Sequence, residues 1–196
     1  MSQEGASKSR RRFLTGAVSV VGGVGVAYTA VPFLAYWKPS ATTRAAGAPV
    51  EVDTSTLEPG QRISITWRGQ PVWVVRRSEA AIEALPSLND RLADPESAVE
   101  TQQPSYAQNL HRSIDPSLLV VVPICTHLGC IPSFMPKPGS LDADWQGGFF
   151  CPCHGSRFDM AGRVYAGVPA PTNLQIPPHR MADDGVVVVG EDEEAA

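Results

Sequence analysis

Apolar and polar positions divide the chain into two stretches of different character. From Phe13 to Trp37 no residue is charged. That run exceeds the roughly 20 apolar residues needed to cross a bilayer core and predicts one membrane-spanning helix. Gly16, Gly22, Gly23 and Gly25 would let another helix approach closely. Tyr28, Tyr36 and Trp37 suit a membrane–water interface, and Pro32 predicts a kink. From residue 50 onward the pattern changes to short apolar runs divided by turn signals. Val50–Asp53 and Arg62–Trp67 read as strands. Arg68-Gly69-Gln70 reads as a turn and Pro71–Arg77 as the returning strand, with Trp67 and Trp73 in the core. Ser78–Leu85 opens on a capping serine and reads as a short helix. Residues 86–117 are polar and rich in turn signals, with a helical turn near Ala107–His111. Leu118–Ile124 is a strong buried strand, and shorter ones are expected at Gly148–Phe150, Arg163–Tyr165, Leu174–Ile176 and Val186–Val189. No internal repeat is evident. Many short strands and few helices predict an all-β antiparallel sandwich behind a single N-terminal transmembrane helix.

Charge adds an orientation. The first 37 residues carry Lys8, Arg10, Arg11 and Arg12 against Glu4 alone, which leaves 12 basic and 19 acidic residues in 38–196, a formal charge of −7. An acidic body gives no footprint for nucleic acid. Positive charge before the apolar run places the N-terminus in the cytoplasm and the body across the inner membrane, in the periplasm, as a single-pass protein. Ser9-Arg10-Arg11-Arg12-Phe13-Leu14-Thr15 resembles the twin-arginine signal, a route for exporting folded, cofactor-loaded proteins. A cleaved signal peptide is the competing reading; the length of the uncharged run favours a retained anchor. Lys38–Pro49, KPSATTRAAGAP, is small, polar and interrupted, which suits a linker or hinge. The expected organisation is a tail at 1–12, an anchor at 13–37, a hinge at 38–49 and a body at 50–196. The acidic stretch Glu191–Glu194 reads as disordered.

The candidate chemistry lies in four cysteines, Cys125, Cys130, Cys151 and Cys153, grouped within 29 residues beside His127 and His154. Such a grouping suits a metal site better than a dispersed disulfide scaffold. Cys125-Thr126-His127 and Cys151-Pro152-Cys153-His154 form a C-x-H pair and a C-x-x-H pair. Zinc can take two cysteines and two histidines, but zinc fingers usually keep Cys with Cys and His with His at wider spacing. A 2Fe-2S centre with thiolates on one iron and imidazoles on the other needs the mixture found here. His111 and His179 read as surface histidines. Asp142, Asp144 and Trp145 read as solvated, and the proline-rich segment 131–150 as a tolerated surface insertion.

Cys125-Thr126-His127-Leu128-Gly129-Cys130 and Cys151-Pro152-Cys153-His154-Gly155-Ser156 resemble the two boxes of the Rieske family, residue for residue. Gly167-Val168-Pro169-Ala170-Pro171, followed by Asn173-Leu174, resembles the family's proline-rich loop over the cluster. The resemblance implies a Rieske-type sandwich with a cluster-binding subdomain over about 125–171 and one 2Fe-2S cluster. It implies Cys125 and Cys151 on one iron, His127 and His154 on the other, Ser156 donating to sulfur, and a disulfide between Cys130 and Cys153. Together with the tail, anchor and hinge, it is similar to the iron–sulfur subunits of ubiquinol–cytochrome c reductase. That implies an oxidoreductase subunit, not catalytic alone, which takes an electron and a proton from ubiquinol through His154 and passes the electron to a c-type cytochrome. Cytochrome b and a dimeric complex are implied partners. The alternative is the Rieske small subunit of an exported oxidase, such as an arsenite-oxidase-like enzyme. One departure stands out. Many high-potential members carry Ser-x-Tyr after the second box, whereas this chain has Ser156-Arg157-Phe158. Without the tyrosine hydroxyl, a lower potential is expected.

Overall fold

The computed structural model describes residues 7–182 and 185–191. The first six residues of the expected tail and residues 192–194 of the acidic stretch lie outside them. The chain divides into two compact units, Met1–Arg44 and Ala45–Ala196. In the first, α1 (Lys8–Tyr36) is a 29-residue helix with Pro32 inside it. None of its residues is buried, and its valines, Phe13 and Phe33 are exposed. With mean hydropathy 1.8 over its most apolar window, this helix is long and apolar enough to cross a lipid bilayer. The segment expected to be a hinge contains a short helix, α2 (Ala41–Ala46). Ser40 begins it: its Oγ accepts the Thr43 N–H at 3.1 Å.

Among the described residues, the second unit holds nine short strands in three antiparallel sheets. The first sheet orders β1 (Val50–Asp53), β9 (Val186–Val189) and β8 (His179–Met181). The second orders β2 (Arg62–Trp67), β3 (Gln70–Arg76) and β4 (Leu118–Val121). The third orders β5 (Ser133–Met135), β6 (Gly148–Phe150) and β7 (Arg157–Phe158). The middle sheet explains the stacking. Its strand side chains alternate between faces. Val72, Val74, Leu118 and Val120 meet Val52, Val187 and Val189 of the first sheet in one core. Trp73, Val75, Leu119 and Val121 face the other way and share a second core with Phe149, Phe158, Cys125 and Cys151. Burial on both faces is why β4 reads as a continuous apolar run rather than an alternating one. Ser78 caps α3 (Glu79–Ala84), its side chain accepting the Ala81 N–H at 3.2 Å.

Several expectations need correction. The segment 131–150 is not a surface insertion: it contributes β5 and β6. Trp145 is not solvated; it is 1% exposed. Its ring stacks on Tyr165 at 6.2 Å and its Nε1 donates to the Met135 carbonyl at 3.0 Å. His179 is buried, not superficial, because Tyr106 exchanges two 2.8 Å hydrogen bonds with its backbone. Leu174–Ile176 forms no strand. Leu174 N–H donates to Gly162, Ile176 N–H to Gln102, and Val122 N–H to the Gln175 carbonyl, so its bonds go to three segments instead of one neighbour. Arg163–Tyr165 makes only single bridges, Phe158 with Val164 and Leu92 with Tyr165. The helical turn near 107–111 is a 3-10 turn at Ser105–Ala107.

Candidate metal centre

Both boxes follow a strand and fold into the same turn. In the first, Cys125 N–H donates to the Cys130 carbonyl at 2.8 Å and Gly129 N–H donates to the Cys125 carbonyl at 2.9 Å. In the second, Cys151 N–H donates to Ser156 at 2.8 Å and Gly155 N–H to Cys151 at 2.9 Å. Gly129 and Gly155 take φ of +81° and +77°, a conformation that favours glycine. The spacing C-x-x-x-G occurs in both boxes, so this small repeat was present in the sequence although none was expected. The repeated turn presents Cys125 and Cys151 equivalently, while the histidines occupy neighbouring steps, the third residue of the first turn and the fourth of the second.

The disulfide joins Cys130 to Cys153 across 23 residues and ties the two turns together, with Cα atoms 6.7 Å apart. Cys125 and Cys151 remain free and buried. The Cys151 sulfur lies within 4.8 Å of both disulfide sulfurs, but those two have no thiolate to offer, so the three do not make a ligand set. The donors outside the disulfide are Cys125, Cys151, His127 and His154. Burial pushes the Cys125 thiol up from its ordinary range. The His127 N–H opposes that, the Cys151 thiol beside it reinforces it, and the Ser156 hydroxyl opposes it. A buried thiol such as that of Cys125 is costly to ionise without a cation, and metal binding would replace its proton. On the outer side, the rings of His127 and His154 stand edge to face with centroids 4.7 Å apart. His154 is exposed and His127 half-buried. Two thiols within and two imidazoles at the rim, with hydroxyl and amide donors near sulfur, fit a centre whose two irons differ in ligand type.

The 167–173 loop is fastened to both turns. Thr126 Oγ1 donates to the Thr172 carbonyl at 2.7 Å, and Ala170 N–H donates to Ser156 Oγ at 3.1 Å. Asn173 anchors the loop's end: its Oδ1 accepts Val164 N–H at 2.8 Å, and its Nδ2 donates to the Asp94 carbonyl at 3.0 Å. Sequence reasoning singled out neither Thr126 nor Asp94. Ser156 is fully buried. Phe158 is fully buried as well, in the same core as Cys125 and Cys151.

Residues 92–178 match the Rieske [2Fe-2S] domain, and residues 1–40 match the TAT-signal region of the ubiquinol–cytochrome c reductase Fe-S subunit. The chain is 55% identical over its full length to the ubiquinol-cytochrome c reductase iron-sulfur subunit of Allochromatium vinosum, covering 95% of it. It is 42% identical to that of Rhodospirillum rubrum, covering 96% of each. A chain of a hyperthermophilic respiratory Complex III structure is 26% identical over 89% of this chain and 98% of its own, with a TM-score of 0.46.

Proposed function

Since the chain belongs to the family of ubiquinol–cytochrome c reductase iron–sulfur subunits, we propose that its turns at 125–130 and 151–156 hold the family's 2Fe-2S cluster at a site where quinol is oxidised. Cys125 and Cys151 hold one iron, His127 and His154 the other, and the Cys130–Cys153 disulfide keeps the two turns in register. The bound cluster accepts and releases one electron, at a potential that imidazole ligation raises.

The observation that carries the reading is the exposure of His154 beside two buried thiols. A metal-bound imidazole keeps its second ring nitrogen free. At the rim, that nitrogen of His154 can take a hydrogen bond, and then a proton, from a quinol hydroxyl. Ser156, with its hydroxyl held between Ala170 N–H and Cys125, donates to sulfur and favours the more negative, reduced state. The 167–173 loop, fastened by Thr126 and Ser156, keeps water from the thiols. The partners are a b-type cytochrome that takes the second electron and a c-type cytochrome that takes the first, in a dimeric complex. The apolar α1 and the matched export-signal region support anchoring in the inner membrane with the body in the periplasm. The 38–49 segment then acts as a hinge between the two partners. The full-length relatives favour this setting over an exported oxidase.

The complex that co-purifies in mild detergent tests this. Reducible b-type and c-type haem absorption is expected beside that of the cluster; iron–sulfur absorption without haem would overturn the reading.

Phe158 supplies a second test. A tyrosine there adds a hydroxyl to a fully buried ring. In family members with Ser-x-Tyr that hydroxyl donates to cluster sulfur. Phe158→Tyr is expected to raise the midpoint by about 40 mV, the one-electron equivalent of about 1 kcal/mol for one net hydrogen bond. A redox titration giving an unchanged or lower midpoint contradicts this.

A further inference from the structure

Four charged side chains are buried among the described residues: Arg77, Arg112, Asp159 and Arg163. Three positive charges against one negative charge is unusual inside an acidic body. Their hydrogen bonds converge on one turn, residues 159–163, directly after β7. Arg77 Nη1 donates to the His111 carbonyl at 2.7 Å and to Met160 at 3.4 Å, and its Nη2 donates to Ser113 Oγ at 2.6 Å. Arg112 Nη1 donates to the Ala161 carbonyl at 3.2 Å, and its Nη2 to Gln103 Oε1 at 2.9 Å. Arg163 pairs with Asp159 at 2.8 Å and donates from Nη1 to Asn89 Oδ1 at 2.9 Å. Burial lowers the Arg77 and Arg112 guanidinium groups to about 10, which leaves both charged at neutral pH. Carbonyl oxygens supply most of their solvation, and the carboxylates that act on them besides Asp159, Asp115 for Arg77 and Asp94 for Arg112, are only half-buried, so within the core the positive charge is in excess.

The turn is close to the centre. Phe149 pairs with Phe158, so Asp159 lies opposite Gly148, three residues before Cys151. At about 3.3 Å per residue that separation is roughly 10 Å. Met160 and Ala161 share the core of Cys125 and Cys151. A unit charge buried at this turn is felt through protein, and salt does not screen it as it does a surface charge.

We propose that Arg77, Arg112 and Arg163, opposed only by Asp159 among the buried carboxylates, act as a fixed positive charge that raises the reduction potential of the centre. Reduction adds one negative charge to the centre, and the buried excess of guanidinium favours it. The three arginines are positioning and potential-setting residues; none is a ligand. This rests on the 2Fe-2S reading above, and the two can fail separately: iron content and absorption report the cluster, and the midpoint reports the field.

The test is redox titration of the cluster-loaded full-length protein in detergent. Asn89→Asp places a carboxylate at Arg163 while keeping the acceptor oxygen, so it changes charge with little change of contact. It is expected to lower the midpoint, shifting the reduced-to-oxidised ratio at fixed potential several-fold toward oxidised. Arg112→Gln, which removes a full buried positive charge, is expected to shift it several-fold the same way, while Arg112→Lys holds it. Asp159→Asn is expected to shift it in the opposite direction. If Arg112→Gln or Asp159→Asn fails to load iron, Asn89→Asp decides. Loaded variants with native EPR spectra and an unmoved midpoint would overturn the proposal.

Discussion

Cys125→Ser is expected to abolish the cluster. The Cys125 thiol is buried at the start of the first turn, beside the Cys151 thiol, and a serine hydroxyl there stays protonated and offers no soft donor. No other free thiol among the described residues can replace it, because Cys130 and Cys153 are joined to each other. Iron should fall from two per chain to near none, and the visible absorption should disappear. Metal binding is coupled to folding, so the variant should also lose stability, most clearly in the turns at 125–130 and 151–156. A Cys125→Ser protein with full iron and an unchanged spectrum would remove Cys125 from the ligand set.

Gly148→Ala should have an effect of comparable size for a different reason. Gly148 takes φ of +147°, and a Cβ there would run into the Phe158 carbonyl oxygen and lie 2.9 Å from the Asp159 Cα. Both obstacles are backbone of the adjacent strand and cannot rotate away. The substitution must push β7 off β6, next to Cys151. Strain and overpacking of this kind cost roughly 2–5 kcal/mol in sum, a large share of a domain's stability. Gly60→Ala is the control. Gly60 also has positive φ, +84°, but a Cβ there meets nothing within 4 Å, so about 1 kcal/mol is expected. Chemical denaturation of the two proteins should separate them clearly. Equal, small losses would mean that β6 and β7 do not approach as described.

The contrast between these two glycines shows what the chain made legible. The proposed ligand residues were readable because their chemistry is local. A Cys and a His two or three residues apart sit on one turn whatever the rest of the fold does. Strands such as β1, β2, β6 and β9 were readable from short apolar runs. What escaped was decided by distant partners. Trp145 is flanked by Asp142, Asp144 and Gln146, so no local pattern marks it as core; Tyr165, Leu88 and Met135 bury it from elsewhere. The short β5 and β7 hold only three and two residues, below the length at which periodicity can be recognised. The burial of Arg77 and Arg112 was not legible, since nothing in sequence announces that carbonyls at 111, 160 and 161 will surround them. Segment 86–117 looked uninformative for the same reason, yet Asp94 holds the end of the loop over the centre.

Pulsed EPR of the reduced protein, prepared with 15N-labelled histidine, tests the central claim most directly. The mixed thiolate and imidazole set predicts a spin-coupled signal from a 2Fe-2S centre with hyperfine coupling to two histidine nitrogens, one lost in a His127 variant and the other in a His154 variant. A signal without nitrogen coupling, or an EPR-silent protein holding stoichiometric zinc, would contradict the assignment of these four residues to a Rieske centre.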